Sequence, residues 1–383
     1  MNLFWKKLFG GITSTEKFEQ QQLAFQQSIK NYFEFEKSPK LEEYKRLHEI
    51  VNSKQFQEKK TLFTKRKYKD SDEYKTLAKF NKLENNKSRQ KNESLEKEYN
   101  ALKVQVSSSE FVKANNFWKN PKRWLESEEY ATEKQYTDLI TNPEFAAFLK
   151  QDAKEMEKYR DRQETFLDSF NNKEANNSKW TAGFYYEKPL LIGDFSYANE
   201  LQANNGGKNV SISNGTFKLA TKQQKTTART WHPTKGFIEK QFDYTADVMQ
   251  TGKNFTQKHG EFQVKLRANG QPHHAFWLGS GKQVPYVQLV QVHGKKIIVG
   301  TIDSKGNKSS VTVKGLKPSD YLIYTLTWNN KELIWKINNF EIFRTTNGIP
   351  SNEMYLGVNS YLPDTERGGE GSLEIDWVKV FNK

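Results

Sequence analysis

Three polar side chains stand out within an apolar stretch in the second half of the chain. Tyr286, Gln288 and Gln291 interrupt a run of valine and leucine that extends to residue 292. Side chains of a β-strand alternate between its two faces, so we expect these three to point away from a core and into a groove. An amide donates and accepts hydrogen bonds, but it neither ionises nor releases a proton near neutral pH. The stretch therefore predicts recognition of polar ligand groups more than acid–base chemistry.

Aromatic residues near this stretch offer flat apolar faces on which a sugar ring could stack. His273 and Trp277 are in phase on the predicted strand that precedes this stretch, and both are candidates for glycan contact. For Trp277 a groove position and a core position are equally good interpretations. Trp231 and Tyr361 are further candidates in predicted loops. Three other tryptophans are assigned to the core, namely Trp328, Trp335 and Trp377.

These residues belong to a region in which short apolar runs alternate with Gly, Asn and Pro turns. The runs after residue 180 include HAFWLG, YVQLVQV, YLIYTLTW and MYLGVNSY, and no helical pattern separates them. Closely spaced strands of this kind predict an antiparallel β-sandwich or barrel over residues 180–383. The polar, Asn-rich segment 171–179 predicts a linker before it.

Four pieces of this region carry a family resemblance. They are, in order, the segments GEFQVKLRA, HHAFWLGSG, YLIYTLTWNNKELIWKINNFEIFRT and SLEIDWVKVF. Together they resemble glycoside hydrolase family 16, the laminarinase and lichenase group. The resemblance implies a concanavalin A-like jelly-roll fold for residues 180–383.

The resemblance also implies where an active site would lie. In that family a Glu-x-Asp-x-x-Glu or Glu-x-Asp-x-Glu strand follows the Ala-x-Trp-Leu segment and supplies the nucleophile, an aspartate and the acid/base. Tyr286 takes the place of the nucleophile, Gln288 that of the aspartate and Gln291 that of the acid/base. Retaining hydrolysis needs two carboxyl groups about 5–5.5 Å apart. We therefore expect a non-catalytic module that binds a glycan or has a structural or assembly role.

An active but divergent retaining glycosidase, acting on a β-glucan or a galactan, is the alternative hypothesis. It would use carboxylates outside the usual strand, and the loop PDTERGGEGS offers Asp364, Glu366 and Glu370. The sequence does not place any two of them at the required spacing.

Metal and cofactor chemistry is not predicted. The chain has no cysteine, which excludes thiolate ligands and disulfides. Histidines 232, 259, 273, 274 and 293 show no metal-ligand spacing, and the adjacent His273 and His274 should point to opposite faces of a strand.

Residues 13–170 read as helices rich in Glu, Lys, Gln and Asn. A degenerate repeat places a Tyr-Leu helix, a Ser or Asn-Pro break and a helix opened by Phe in succession; Ser53, Ser109 and Asn142 are the predicted N-caps. This predicts an all-α bundle or helical repeats that pair and bury their aromatic residues, with a loose resemblance to FF-type repeats. We expect such a domain to dock a protein partner.

The charge and the N-terminal segment bear on other partners. The formal net charge is +14, but 60 basic and 46 acidic residues are interspersed, so nucleic-acid binding is not favoured even for the basic stretch 54–91. Residues 1–12 combine apolar side chains with two lysines, which suits either peripheral membrane contact or a turn packed on its own domain. The segment shows no secretory or transmembrane pattern, so a cytoplasmic or virion-assembly location is expected.

Overall fold

The computed structural model describes residues 1–8, 10–171, 178–186, 195–232 and 234–382. Its helices are α1 Phe4–Leu8, α2 Thr15–Glu36, α3 Pro39–Asn52, α4 Lys54–Lys65, α5 Asp72–Glu84, α6 Glu93–Ser107, α7 Ser109–Lys119, α8 Glu128–Thr141, α9 Pro143–Leu149 and α10 Ala153–Glu157, with single 3-10 turns at Tyr68–Asp70 and Arg89–Lys91. Its strands are β1 Glu164–Asp168, β2 Thr181–Ala182, β3 Ser196–Tyr197, β4 Gln202–Asn204, β5 Val210–Ser213, β6 Thr216–His232, β7 Gly236–Ala246, β8 Val248–Gln250, β9 Gly260–Gly270, β10 His273–Gly279, β11 Tyr286–His293, β12 Lys296–Ile302, β13 Lys308–Val313, β14 Leu322–Trp328, β15 Leu333–Ile337, β16 Phe340–Thr345, β17 Tyr355–Tyr361 and β18 Gly371–Phe381. The predicted succession of helices followed by a β-rich region is confirmed.

The chain divides into two compact units whose limits differ from the predicted ones. One unit comprises Met1–Gln26 and Glu157–Lys383, and the other comprises Gln27–Met156. The predicted helical domain at 13–170 is therefore too long at both ends. β1 is a strand where only helices were expected: it pairs with the C-terminal half of β18, beyond the point where β6 stops pairing with that strand. The predicted linker at 171–179 lies largely outside the described residues.

The first unit is a β-sandwich of two sheets. One sheet has the order β16-β15-β14-β9-β18-β6-β7-β4, with β1 on β18 and both β3 and β5 on β6. The other has the order β13-β12-β11-β10-β17-β8-β2. The pairing is antiparallel as predicted, except that the short strands β3 and β4 pair in parallel with β6 and β7.

The two sheets enclose a large core. Its members include Phe262 and Leu266 from β9 of the first sheet and Phe276 and Val287 from β10 and β11 of the second. Burial of such side chains supplies most of the stabilisation of a sandwich. The three tryptophans assigned to the core are buried as predicted: Trp328, Trp335 and Trp377. Trp377 packs in a separate small cluster against Phe18 of α2.

The N-terminal segment packs on the sandwich. Leu3 and Ile12 are buried in the large core. The backbone N–H of Leu3 donates to the Lys314 carbonyl at 2.8 Å, and the Lys314 N–H donates to the Met1 carbonyl at 2.8 Å. These contacts are those of a turn packed on its own domain, the second of the two interpretations given for residues 1–12. Among the described residues no helix has the length and apolar character needed to span a membrane.

The second unit consists of paired helices joined by capped breaks. Ser53 Oγ accepts a hydrogen bond from the Phe56 N–H at 3.2 Å, and Asn142 Oδ1 accepts one from the Phe145 N–H at 3.1 Å, as the repeat predicts. The third cap is Ser108 rather than the predicted Ser109: its Oγ accepts from the Phe111 N–H at 3.2 Å. The one-residue error arises because three consecutive serines occupy this break, and only the backbone geometry selects among them.

Replacing Ser108 with alanine should lower the free energy of unfolding of the helical unit by about 1 kcal/mol, because the first turn of α7 loses its side-chain acceptor. Ser109→Ala is the matched control. It removes the neighbouring hydroxyl and should change stability by no more than about 0.5 kcal/mol. Urea unfolding followed by far-ultraviolet circular dichroism measures both variants. Equal losses for the two would contradict the assignment of Ser108 as the cap.

Aromatic side chains pack between the helices of this unit, as predicted. Phe80 of α5 stacks on Tyr99 of α6 with ring centroids 5.3 Å apart, and Tyr44 of α3 stacks on Tyr136 of α8 at 6.0 Å. Several cations of the basic stretch are paired within the unit: Lys59 with Glu129, Lys60 with Glu133 and Lys79 with Glu98. The aromatic residues and much of the charge in this stretch therefore have structural partners.

Candidate functional site

A β-bulge in β11 brings its three polar residues to one face of the seven-stranded sheet. Gln288 lies opposite Trp277 of β10 and Gly300 of β12, whereas Gln291 lies opposite Ala275 and Ile298. The pairing register shifts between the two glutamines on both neighbours, so one extra residue is accommodated there. Three positions of sequence separation would otherwise put Gln288 and Gln291 on opposite faces.

These residues line a groove on the face of the sheet away from the large core. Its volume is about 400 Å³, and Tyr286, Gln288 and Gln291 all contribute to its wall. Aromatic side chains supply much of the remaining lining, namely Phe184, Tyr186, Tyr197, Trp277, Tyr355 and Tyr361. Five of the seven residues proposed from the sequence for glycan contact line the groove, and a sixth, His273, contacts Gln291. Trp231 is the exception.

Trp277 is both a groove residue and a packed one. It is 7% exposed, and its ring lies 5.5 Å from that of Tyr286 and 5.6 Å from that of Tyr355. Its indole Nε1–H donates to Asn359 Oδ1 at 3.0 Å. A Cβ on Gly357 would lie 2.3 Å from the indole Cζ2, so this glycine lets the ring lie against the β17 backbone. The two interpretations of Trp277 are therefore combined: one part of the ring is buried and another borders the groove.

The two glutamines are held by different partners. Gln288 Nε2 donates to the Ile298 carbonyl at 3.1 Å. Gln291 Nε2 donates to Nδ1 of His273 at 2.8 Å, and His273 Nε2 lies 2.9 Å from Glu366 Oε2. With Nδ1 accepting, the imidazole proton lies on Nε2 and is donated to the carboxylate. The hydrogen bond to His273 is the main cause that holds the pKa of Glu366 below its usual value.

A histidine pair extends this network beyond the groove. The rings of His273 and His293 stack with centroids 3.8 Å apart, and Tyr361 stacks on His273 at 4.9 Å. His293 Nε2 lies 3.4 Å from Glu366 Oε2. The sequence showed no metal-ligand spacing, yet strand pairing and a distant loop bring two imidazoles and a carboxylate within 4.8 Å of one another. This corrects the expectation that the histidines form no possible ligand set.

His274 points the other way, as alternation predicts. Its Nδ1 accepts from Ser360 Oγ at 2.7 Å and its Nε2 donates to the Asn269 carbonyl at 2.8 Å. Burial lowers the pKa of His274 to about 4, so it is neutral in the folded protein near neutral pH. It takes no part in the groove.

The other sequence candidates lie away from the groove wall. Trp231, near the end of the long strand β6, is 37% exposed and packs edge-on against Phe237. Glu370 is exposed and accepts a hydrogen bond from the Gln223 backbone N–H at 2.9 Å. Asp364 is exposed in the same loop. Of the three proposed carboxylates, only Glu366 contacts a residue of the β11 network.

Glu200 is the groove carboxylate that the sequence did not reveal. It lines the groove, and its Oε2 accepts from Gln202 Nε2 at 2.6 Å. Burial raises its pKa to about 7 despite that hydrogen bond and the nearby charge of Lys240. Tyr186 and Tyr197, whose hydroxyl groups are 2.5 Å apart, were missed as well. All three lie in segments without strand periodicity, so no local pattern marks them.

The fold and the site together define a class: a two-sheet β-sandwich with an aromatic and amide-lined groove on the outer face of one sheet. Comparison with protein-family models finds no match, and comparison with curated proteins finds none either. Among solved structures, the chain is similar to the laminarinase catalytic domain of Thermotoga maritima, with 15% identity, 58% of this chain and 99% of that chain covered and a TM-score of 0.45. It is also similar to the endo-β-1,3-glucanase of Pyrococcus furiosus, with 14% identity, 58% and 94% coverage and a TM-score of 0.46. The κ-carrageenase of Pseudoalteromonas carrageenovora matches with 14% identity, 58% and 95% coverage and a TM-score of 0.44.

Proposed function

We propose that the groove binds a polysaccharide chain and does not hydrolyse it. The observation that carries this proposal is the set of three β11 side chains at the groove wall, which are a phenol and two amides. Amides can satisfy the hydroxyl groups of a sugar as donor and acceptor at once. The surrounding tyrosines and Trp277 provide the flat faces on which pyranose rings stack.

The absence of a carboxylate on β11 argues against the usual retaining chemistry. A nucleophile must be ionised, and an acid must deliver a proton to the leaving oxygen. Burial raises the pKa of the Tyr286 hydroxyl well above its usual value, so it is protonated and a poor nucleophile. Gln288 and Gln291 cannot replace either carboxyl group.

Glutamine-to-alanine variants of the full chain test the binding proposal. Affinity electrophoresis in gels containing laminarin, lichenan, agarose or κ-carrageenan identifies a retained polysaccharide. For that polysaccharide, Gln288→Ala and Gln291→Ala should each weaken binding about tenfold, which corresponds to one lost hydrogen bond of about 1.4 kcal/mol. Gln223→Ala removes an exposed glutamine of β6 as the matched control and should leave binding unchanged. No retention by any of the four, or equal effects of all three variants, would contradict the proposal.

A hydrolase is the second candidate, and one observation favours it: Glu200 lines the groove with a pKa of about 7, a value suited to a general acid at neutral pH. Glu200 is the one carboxylate among the described lining residues, and Glu366, which hydrogen-bonds to His273, is the candidate for the second. Release of reducing ends from the retained polysaccharide, abolished by Glu200→Gln, would establish this activity in place of simple binding. Under the binding proposal no reducing ends appear with either protein.

The second part of the proposal assigns a docking role to the helical unit. Its support is a set of apolar side chains that the unit leaves in solvent, among them Val104, which is 74% exposed, Val112 and Leu125. Exposed apolar side chains of this kind are available for contact with a protein partner.

A further inference from the structure

We propose that His273, His293 and Glu366 bind a zinc ion beside the groove. His273 begins β10, His293 ends the neighbouring strand β11, and Glu366 lies in the loop before β18. One ligand atom from each lies within 4.8 Å of the other two. The inference concerns metal binding only, and it does not depend on the proposed binding of a polysaccharide.

Two of the three distances between the ligand atoms are close to those around zinc. With bonds of 2.0–2.1 Å to nitrogen and oxygen, two ligands of a tetrahedral zinc ion are about 3.3–3.4 Å apart. His293 Nε2 is 3.4 Å from Glu366 Oε2, and His273 Nε2 is 2.9 Å from the same oxygen. For these two pairs, occupation by zinc requires only that the second distance lengthen by about half an ångström. The two imidazole nitrogens, which lie within 4.8 Å of one another, must take up the same spacing.

The stacked rings must also open slightly. The imidazole planes are inclined by 27°, and their lone pairs converge on one ion only if the rings splay apart. His293 has room for this movement because its side chain is 30% exposed at the end of its strand. Glu366 is more exposed still, so an ion can enter from solvent and a fourth ligand position remains open.

The donor set favours zinc over the hard cations. Two imidazole nitrogens and one carboxylate oxygen suit a borderline metal ion, whereas calcium and magnesium require six or more oxygen ligands or retained water. The carboxylate balances part of the added charge. Lys296 lies opposite His293 in the pairing of β11 with β12, and its ammonium group disfavours a further positive charge there. The three ligands therefore make a site of moderate charge with one open position.

Gln291 connects this site to the groove. A zinc ion on His273 Nε2 forces the imidazole proton onto Nδ1, which then donates where it now accepts. The Gln291 amide must turn over so that Oε1 faces Nδ1, and its NH₂ group is then directed away from the histidine. Metal binding would thus exchange the donor and acceptor that one groove residue presents. Removing the amide should weaken zinc binding about 10-fold, as for other residues that orient a ligand.

Equilibrium dialysis of the full chain against zinc, with metal analysis of the protein, tests the site. We expect one zinc per chain and, after cobalt substitution, the strong visible absorption of a four-coordinate ion. His293→Ala and Glu366→Gln should each raise the zinc Kd at least about 10-fold. His232→Ala removes a histidine on β6, outside the cluster, as the matched control and should leave the Kd unchanged.

The two principal variants alter side chains at a strand end and in an exposed loop, so both should remain folded even if His273→Ala does not. Thermal unfolding without zinc confirms this for each protein. The proposal is overturned if no saturable zinc binding is found, or if binding survives His293→Ala and Glu366→Gln unchanged.

Discussion

Replacement of Asp247 with alanine should lower the free energy of unfolding of the sandwich by about 3 to 5 kcal/mol. Asp247 is 1% exposed and lies between β7 and β8. Its Oδ1 accepts from the backbone N–H groups of Asn205 and Gly207 at 2.9 Å, and its Oδ2 accepts from that of Asn209 at 2.7 Å. Alanine leaves all three donors without their acceptor in a part-buried or buried site.

The carboxylate matters because of what the turn at 205–209 holds in place. The strand β4 immediately precedes that turn and hydrogen-bonds to the segment that carries two groove residues, Tyr197 and Glu200. The Asn204 amide donates to the Phe195 carbonyl at 2.6 Å, and Ser196 Oγ accepts from the Asn204 backbone N–H at 2.8 Å. Loss of the turn should therefore release one wall of the groove as well as destabilise the sheet.

Asp243→Ala is the matched control for Asp247→Ala. Asp243 is exposed on β7, and removal of its carboxylate should change the stability by no more than about 0.5 kcal/mol. Urea unfolding followed by tryptophan fluorescence measures both. A loss for Asp247→Ala as small as that for the control would show that the three backbone donors find water or other acceptors in its place.

Local patterns were sufficient for the parts of the fold that local interactions determine. The resemblance to the family's strand predicted that Tyr286, Gln288 and Gln291 share a face, whereas strict alternation would place Gln291 opposite the other two. The break-and-aromatic pattern predicted the helix pairs. The bulge keeps Gln288 and Gln291 on one face, which is consistent with the three-residue spacing of the corresponding positions in the family's strand.

The residues that the sequence could not place depend on contacts between distant segments. Glu200 comes to the groove through a segment with little regular structure, which is fixed by the buried carboxylate of Asp247 more than 40 positions away. Glu366 joins His273 from a loop 93 positions further along the chain. β1 resembles its helical neighbours in composition, and only the free edge of β18 makes it a strand. The spacing of these residues along the chain does not indicate any of these contacts.

The Glu200→Gln variant should gain stability relative to the wild type as the pH rises from acidic to alkaline values. The folded-state pKa of Glu200 is about 7, above the ordinary value of 4.5, because burial disfavours the charged form. The folded protein therefore holds this proton more tightly than the unfolded chain. Its contribution to stability is complete below pH 4.5 and is lost as the pH rises to 7.

The expected size follows from the shift of the pKa. A displacement from 4.5 to about 7 corresponds to about 3 kcal/mol, which the partial exposure of the side chain reduces to about 2 kcal/mol. Glutamine resembles the protonated acid and does not titrate. The difference in unfolding free energy between Glu200→Gln and wild type should thus increase by about 2 kcal/mol between pH 4.5 and pH 8.

Several groups near Glu200 determine its pKa and must be retained in the experiment. The Gln202 amide and the Lys240 ammonium group favour the charged carboxylate, whereas the surrounding tyrosines at the groove wall add no charge at these pH values. Glu239→Gln, at an exposed position of β7, provides the baseline for removing a carboxylate from this unit. Urea unfolding at intervals from pH 4.5 to pH 8 gives the two differences. A Glu200 difference that stays parallel to the baseline would mean that the carboxyl group titrates in the folded protein as it does in the unfolded chain, and is therefore ionised at neutral pH. The groove would then present an acceptor to its ligand at neutral pH, where a protonated Glu200 presents a donor.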